Sequence, residues 1–346
     1  VTPPLSGLRV IEFESLGPGP LTGRMLADMG AELIVVTRPQ IGAVQQQLGI
    51  AEANPLQRGK QTLALDLKQA AAVAEAMDLI AGADALIEGN RPGVMERLGL
   101  GPADCATRNP KLVYGRMTGW GQHGPLASAA GHDLNYVALT GVLSLSAHRG
   151  QAPISAPTVM GDGCGALGLA FGMVSALLAA RASGCGRVVD GAIIDVVAML
   201  GSLALGIRAS GQLDGPQPSP FHDSPFYDVY SCADGGHITI GALEPQFYAL
   251  LLQKLSLNDV DPAGQYDRSA WPQLKARFAE RFRSQPRAHW CELLEGSDVC
   301  FAPVLGIAEA AQHPHNRARD LYSTADDGSL QARSAPTFLP LRESAH

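Results

Sequence analysis

Residues 8–37 read LRVIEFESLGPGPLTGRMLADMGAELIVVT, and this stretch decides the fold. Leu8 to Phe13 is a short apolar run containing the β-branched Val10 and Ile11. Gly17-Pro18-Gly19-Pro20 is a turn, and Leu21, Met25 and Leu26 then recur at helical spacing within Leu21 to Met29. Gly30 ends that helix, and Glu32 to Thr37 is a second β-branched run. Strand, helix, strand is a β-α-β unit, whose two strands lie parallel because a crossover helix joins them.

Outward from this unit the pattern repeats. Thr62 to Leu65 reads as a strand, Gln69 to Ala81 as a helix, Ala85 to Glu88 and Leu112 to Met117 as further strands. Strands alternating with helices predict an α/β domain with an open, mostly parallel, Rossmann-like sheet covered on both faces. Past a long apolar helix at 166–182, the turn Gly184-Cys185-Gly186 leads into a strand at Arg187 to Ile194 and a small-residue helix at Val196 to Ala209. Gly211 to Pro225 is proline-rich and reads as a linker. Phe226 to Ile240 is a hairpin turning through Ala233-Asp234-Gly235-Gly236, followed by helices near 245–256, 271–284 and 287–296.

The chain has 346 residues, 46% hydrophobic and 17% charged, an ordinary balance for a globular enzyme with a full core. Its net charge of −7 and pI near 5.7 argue against nucleic acid or an anionic membrane as the main partner. Cysteines 105, 164, 185, 232, 291 and 300 form no C-x-x-C pair, so they read as reduced thiols of a cytoplasmic protein. Val1-Thr2-Pro3-Pro4-Leu5 lacks the pattern of a signal peptide. Ala166 to Ala182 holds two glycines and Arg181, which predicts a buried helix and no membrane span.

The first turn invites a dinucleotide-binding reading, but the fingerprint breaks. Gly17 and Gly19 fit its first two glycines; Pro20 follows directly and Thr22 stands where the third belongs. After the second strand, where an NAD site needs an acid, the chain has Thr37-Arg38-Pro39. Arginine there suits a phosphorylated ribose, because its planar fork holds phosphate oxygens in pairs. The 2′-phosphate of NADP and the 3′-phosphate of coenzyme A both fit. Arg58-Gly59-Lys60, Leu65-Asp66-Leu67-Lys68 and Asn90-Arg91-Pro92-Gly93 add cations at strand ends, where open α/β sheets take ligands; singly, each is a solvated charge.

Three residues have acid–base potential. His132 follows Gly131 at a predicted helix start, and an imidazole there is either a cap or a general acid–base. Asp162, in Met160-Gly161-Asp162-Gly163-Cys164-Gly165, is either an N-cap or a carboxylate beside helix-start amides able to hold an oxyanion. Glu244 precedes another helix and reads equally as a first-turn acid. His313-Pro314-His315 has neither the spacing nor the carboxylates of a metal site, so no metal is expected.

Taken in order, these segments resemble the α-methylacyl-CoA racemases, within the family III CoA-transferase superfamily. The likeness runs through Leu5-Ser6-Gly7-Leu8-Arg9-Val10-Ile11-Glu12, Gly17 to Pro20, Arg38-Pro39, Leu65 to Lys68, Leu86 to Val94, Arg116 to Gln122, Gly131-His132-Asp133-Leu134-Asn135-Tyr136 and Gly241 to Tyr248. The resemblance implies a racemase of 2-methyl-branched acyl-CoA thioesters, an isomerase of fatty-acid metabolism. His132, assisted by Glu244, would be one acid/base and Asp162 the other, on opposite faces of the α-carbon. Arg38, Leu65, Asp66, Leu67, Lys68, Arg91 and Gly131 to Tyr136 would line the coenzyme A site, with no separate cofactor. It also implies a large domain over 1–185 rejoined by about 325–346, a linker over 186–224 and a small α+β domain over 225–324. Two subunits would interlock as a homodimer, with Glu244 supplied by the partner.

The runner-up is a family III CoA-transferase using Asp162 as nucleophile, through an anhydride and an enzyme–CoA thioester. Transferases generally lack the histidine at the position of His132, which favours the racemase. An NADP reductase is disfavoured by the broken fingerprint, and a catalytically silent acyl-CoA binder by three filled acid–base positions. The chain departs from the racemase pattern at Asp162 to Ala166 and at Phe221 to Pro225, so a changed acyl preference is expected.

Overall fold

The structure, a computed structural model, describes residues 2–40, 42, 46–47, 54–148, 150–325 and 327–341. Two compact units divide the chain. One gathers Val1–Ser144, Ile154–Leu200 and Tyr322–His346; the other gathers Leu145–Pro153 and Gly201–Leu321.

The first unit is built on a six-stranded sheet, every neighbouring pair parallel. Its strands are β1 (Arg9–Phe13), β2 (Glu32–Thr37), β3 (Lys60–Ala64), β4 (Ala85–Glu88), β5 (Val113–Thr118) and β6 (Arg187–Ala192), in the order β3-β2-β1-β4-β5-β6. Alternation along each strand feeds two cores. Val10, Leu33, Ile87 and Val113 face one side, under Leu169 and Met173; Ile11, Val36, Leu86 and Tyr114 face the other, under Ala76 and Ile80. The central β4 is buried along its whole length, as a parallel strand covered on both faces must be.

The helices of this unit are α1 (Pro18–Asp28), α2 (Ala70–Ala81), α3 (Val94–Arg97), α4 (Pro102–Arg108), α5 (Asp133–Leu139), α6 (Cys164–Ser183) and α7 (Ile193–Leu200). The segment Val159–Ser183 is long and apolar enough to cross a bilayer. Here one face of α6, through Leu169, Met173 and Ala176, packs on the sheet as a core helix. Its other face leaves Leu167, Phe171 and Leu178 exposed.

A buried ion pair crosses this core. Lys60 Nζ lies 2.7 Å from Glu12 Oε2, with neither side chain exposed, and also donates to the carbonyl of Pro20 at 2.8 Å. Burial pushes Glu12 up to about 7 against the opposing pull of Lys60. The expectation of a ligand-binding Arg58-Gly59-Lys60 is therefore corrected. Both cations sit at the N-terminal end of β3, away from the edge where such sheets bind ligands. Both are also engaged: Arg58 pairs with Asp28 at 3.2 Å and donates to Gln331.

In the second unit β7 (Tyr227–Ser231), β8 (His237–Gly241) and β9 (Phe301–Val304) form an antiparallel sheet, extending the predicted hairpin by one strand. Helices α8 (Ser202–Ala209), α9 (Pro245–Lys254), α10 (Trp271–Arg283) and α11 (Arg287–Leu294) belong to it. Phe226, Tyr230, Tyr248, Trp271, Phe278 and Trp290 fill a core of its own.

The boundaries differ from the sequence expectation. Residues 187–192 lie in the sheet, paired with β5 through the register Val113↔Arg187 to Thr118↔Ala192, and are no linker. Residues 145–153 belong with the second unit. The chain returns to the first unit at Tyr322, where β10 (Tyr322–Thr324) and β11 (Leu330–Ala332) form a short hairpin. Positions 326 and 342–346 of the expected return lie outside the described residues.

Candidate active site

A cavity of about 630 Å³ opens at the C-terminal ends of β1 to β4. Arg38, just past β2, and Leu65, Asp66, Leu67 and Lys68, just past β3, line it together with Asn90. Three segments far apart in sequence thus meet where an open α/β sheet takes its ligand. Their tasks differ. Arg38 and Lys68 are exposed cations. Leu65 is buried in the core, its N–H donating to the carbonyl of Thr37. Asp66 Oδ1 accepts from the Lys68 N–H at 3.2 Å, which shapes the turn into α2.

Arg91 stands on the next loop, and two residues the sequence reading passed over hold that loop. Glu88 Oε2 accepts from the Asn90 N–H at 2.7 Å, while Glu88 Oε1 accepts from Arg116 Nε at 3.0 Å. Arg91 is exposed and close enough to Tyr136 to oppose the upward push that burial and Asp162 exert on its phenol. Arg91 therefore shares an electrostatic neighbourhood with the segment 131–136.

That segment starts α5. His132 is the N-cap residue, in extended conformation, but its imidazole makes no cap hydrogen bond. Asn135 Oδ1 accepts from the His132 N–H at 3.0 Å, and the His132 carbonyl accepts from the Asn135 N–H at 2.8 Å. His132 is exposed. Tyr136 is buried, its hydroxyl donating to the Gly131 carbonyl and its ring meeting Trp120 edge-on at 4.7 Å. Gly131 and Gly119 make room for it, since a Cβ at Gly119 would lie 1.9 Å from the Tyr136 ring. Leu134 points outward, 53% exposed.

Asp133, grouped with the coenzyme contacts in the sequence, is instead turned inward. It is 9% exposed, and its Oδ1 accepts from the N–H groups of Gly161 and Asp162 at 2.8 and 2.7 Å. Those residues lie in Val159–Gly163, a π-helical turn that runs directly into α6. The Gly163 N–H goes to the carbonyl of Thr158 at 2.9 Å. The N–H groups of Gly161, Asp162 and Gly163 thus all have partners within the protein.

Asp162 itself is half-buried. Its carboxyl is pushed up to about 6, chiefly by burial, then by the Asp133 charge, with His132 pulling the other way. A carboxyl poised near neutrality can release and regain a proton at working pH. The first β-α turn closes over it: a Cβ at Gly17, which takes φ 68°, would sit 2.9 Å from Asp162 Oδ2. His132 and Asp162 therefore act on each other within the first unit. Glu244 is an exposed N-cap of α9 in the second unit, where burial and then the Glu244 charge raise the phenol of Tyr266.

The CoA-transferase family III model matches residues 5–344. The chain belongs to the CoA-transferase family III. Among its relatives in this family, the α-methylacyl-CoA racemase of Mus musculus is 41% identical over 96% of this chain and 86% of its own length. That of Homo sapiens is 37% identical over 97% and 86%. A probable fatty acyl-CoA transferase of Mycobacterium tuberculosis is 32% identical over 86% of this chain and 81% of its own. The crystal structure of that mycobacterial protein superposes with a TM-score of 0.80, covering 97% of this chain and 93% of the other at 29% identity. The family thus contains both chemistries weighed from the sequence.

Proposed function

We propose that this protein is an α-methylacyl-CoA racemase, inverting the α-carbon of 2-methyl-branched acyl-CoA thioesters by two-base proton transfer through an enolate. The observation that carries this reading is the pairing of an uncommitted imidazole, His132, with a carboxyl held at about 6, Asp162. Inversion needs a base on one face of the α-carbon and an acid on the other, with their roles exchanging between enantiomers. One group removes the α-proton, the electron pair delocalises into the thioester carbonyl, and the opposite group returns a proton. A positioned base contributes on the order of 10² to 10⁴ in rate. The 37–41% identity to proteins named α-methylacyl-CoA racemase supports the same reading.

In this scheme Arg38 and Lys68 meet the phosphorylated end of coenzyme A, Leu65 to Leu67 line its path and Arg91 lies toward the thioester. Gly131 and Leu134 to Tyr136 flank the reacting end. Coenzyme A arrives within the substrate, so the chemistry calls for no metal, flavin or nicotinamide. We further propose a homodimer in which Glu244 of a second copy assists His132; the exposed Leu167, Phe171 and Leu178 on α6 support a covered face. Six free cysteines fit a reducing, cytoplasmic setting. The transferase reading keeps one support, the transferase names among the relatives, and would use Asp162 as nucleophile.

Incubating one enantiomer of a 2-methylacyl-CoA in D₂O, without an acceptor acid, separates the two. Deuterium at the α-carbon with loss of optical purity is expected. Absence of exchange, together with CoA transfer once a free acid is added, would refute the racemase.

A further inference from the structure

We propose that Asp133 is a positioning residue: one buried carboxylate that fixes the turn carrying Asp162 against the helix start carrying His132, and so sets the gap between the two proton-transfer groups. This inference rests on the racemase reading for its catalytic consequence, but the clamp itself stands on geometry.

Asp133 is the first residue of α5, next in sequence to His132. Its Oδ1 takes the N–H groups of Gly161 and Asp162 at 2.8 and 2.7 Å, so a single oxygen ties two segments 28 and 29 residues apart. The fit is close. A Cβ at Gly161 would lie 2.5 Å from that oxygen, so glycine there is what lets the backbone reach the carboxylate. The turn it grips is a π-turn entered through Thr158 at φ 62°, a left-handed conformation that a β-branched residue rarely takes. Such a turn persists where surrounding contacts over-determine it, and Asp133 supplies two charge-assisted ones. After burial, the charge of the same carboxylate is the next cause that raises the Asp162 carboxyl, so one group bears on both shape and proton affinity.

Two substitutions separate this role from coenzyme contact. Asp133→Ala removes the acceptor. Asp133→Asn keeps an Oδ1 able to accept both N–H groups but removes the charge. With each enantiomer of a 2-methylacyl-CoA, Asp133→Ala should lower kcat about 100-fold in both directions, the scale of a 1 Å misplacement, and leave KM within about threefold. Asp133→Asn should keep kcat within about tenfold of wild type, and its acid limb should move to lower pH because the charge raising Asp162 is gone. Amide hydrogen exchange over 158–164 should accelerate in Asp133→Ala and stay near wild type in Asp133→Asn.

A KM raised more than about tenfold with kcat retained would overturn the proposal, since that marks a substrate contact. So would equal losses in the two variants, or unchanged exchange over 158–164 in Asp133→Ala. If the wild type neither exchanges the α-proton nor racemises, the racemase reading falls, and the exchange measurement still decides the clamp.

Discussion

Replacing Asp162 with asparagine is expected to stabilise the fold while abolishing turnover, and both effects trace to the surroundings of one carboxyl. Burial and the neighbouring Asp133 hold it at about 6 in the folded protein, against an ordinary 3.8. As pH rises, the unfolded chain releases this proton first, so across the interval between those values the folded state binds more of it. The group's contribution to stability is complete below 3.8 and is lost as pH rises through about 6. Above that, the ionised carboxylate is a net cost. At 1.36 kcal/mol per pH unit the whole gap would amount to about 3 kcal/mol. Asp162 is partly open to solvent, and screening reduces this to about 1–2 kcal/mol. D162N should therefore exceed wild type by that amount at about pH 8, read as a melting point higher by a few degrees, and the advantage should vanish near pH 4. Thermal melts at the two pH values, with α-proton exchange on the same samples, make the test. A D162N protein less stable than wild type at pH 8, or equally shifted at both pH values, would refute the reasoning.

Three further outcomes are expected. Arg38→Ala should raise KM for acyl-CoA about 10- to 100-fold with kcat nearly unchanged, because a lost hydrogen bond to a charged group costs about 1.5–3 kcal/mol of binding; initial rates against thioester concentration check this. Lys60→Met, which strands the buried Glu12, should cost about 3–5 kcal/mol, and the double variant with Glu12→Gln should recover most of it; a double-mutant cycle in urea measures the coupling. Phe171→Asp, on the exposed face of α6, should shift a homodimer toward monomer in sedimentation velocity, leaving the circular dichroism spectrum unchanged.

The parallel sheet was legible because short apolar runs of four to six residues alternate with segments of helical spacing. What failed was pairing. Arg187 to Ala192 reads as a strand, but its first residues are exposed at a sheet edge and its partner is 74 residues away, so sequence left it in a linker. Phe301–Val304 was missed for a similar reason: a four-residue edge strand containing Pro303 has almost no signature. The site divides the same way. His132 and Asp162 stood out because acid–base residues beside glycines at helix starts are a local pattern. Asp133 looked like a third such residue, and only its partners at 161 and 162 reveal what it does. Arg58 and Lys60 announced their charge but not that Asp28 and Glu12 already hold them.

In the proposed scheme, the cavity at the strand ends and the two proton-transfer groups of the first unit draw on different stretches of chain. The cavity at the strand ends draws on residues between 13 and 98, whereas His132, Asp133 and Asp162 fall within 131–164. A handle and a working end encoded separately can vary at different speeds. Chimeras that swap 131–164 between family members would carry the reaction type with the swapped piece and leave the affinity for the carrier behind.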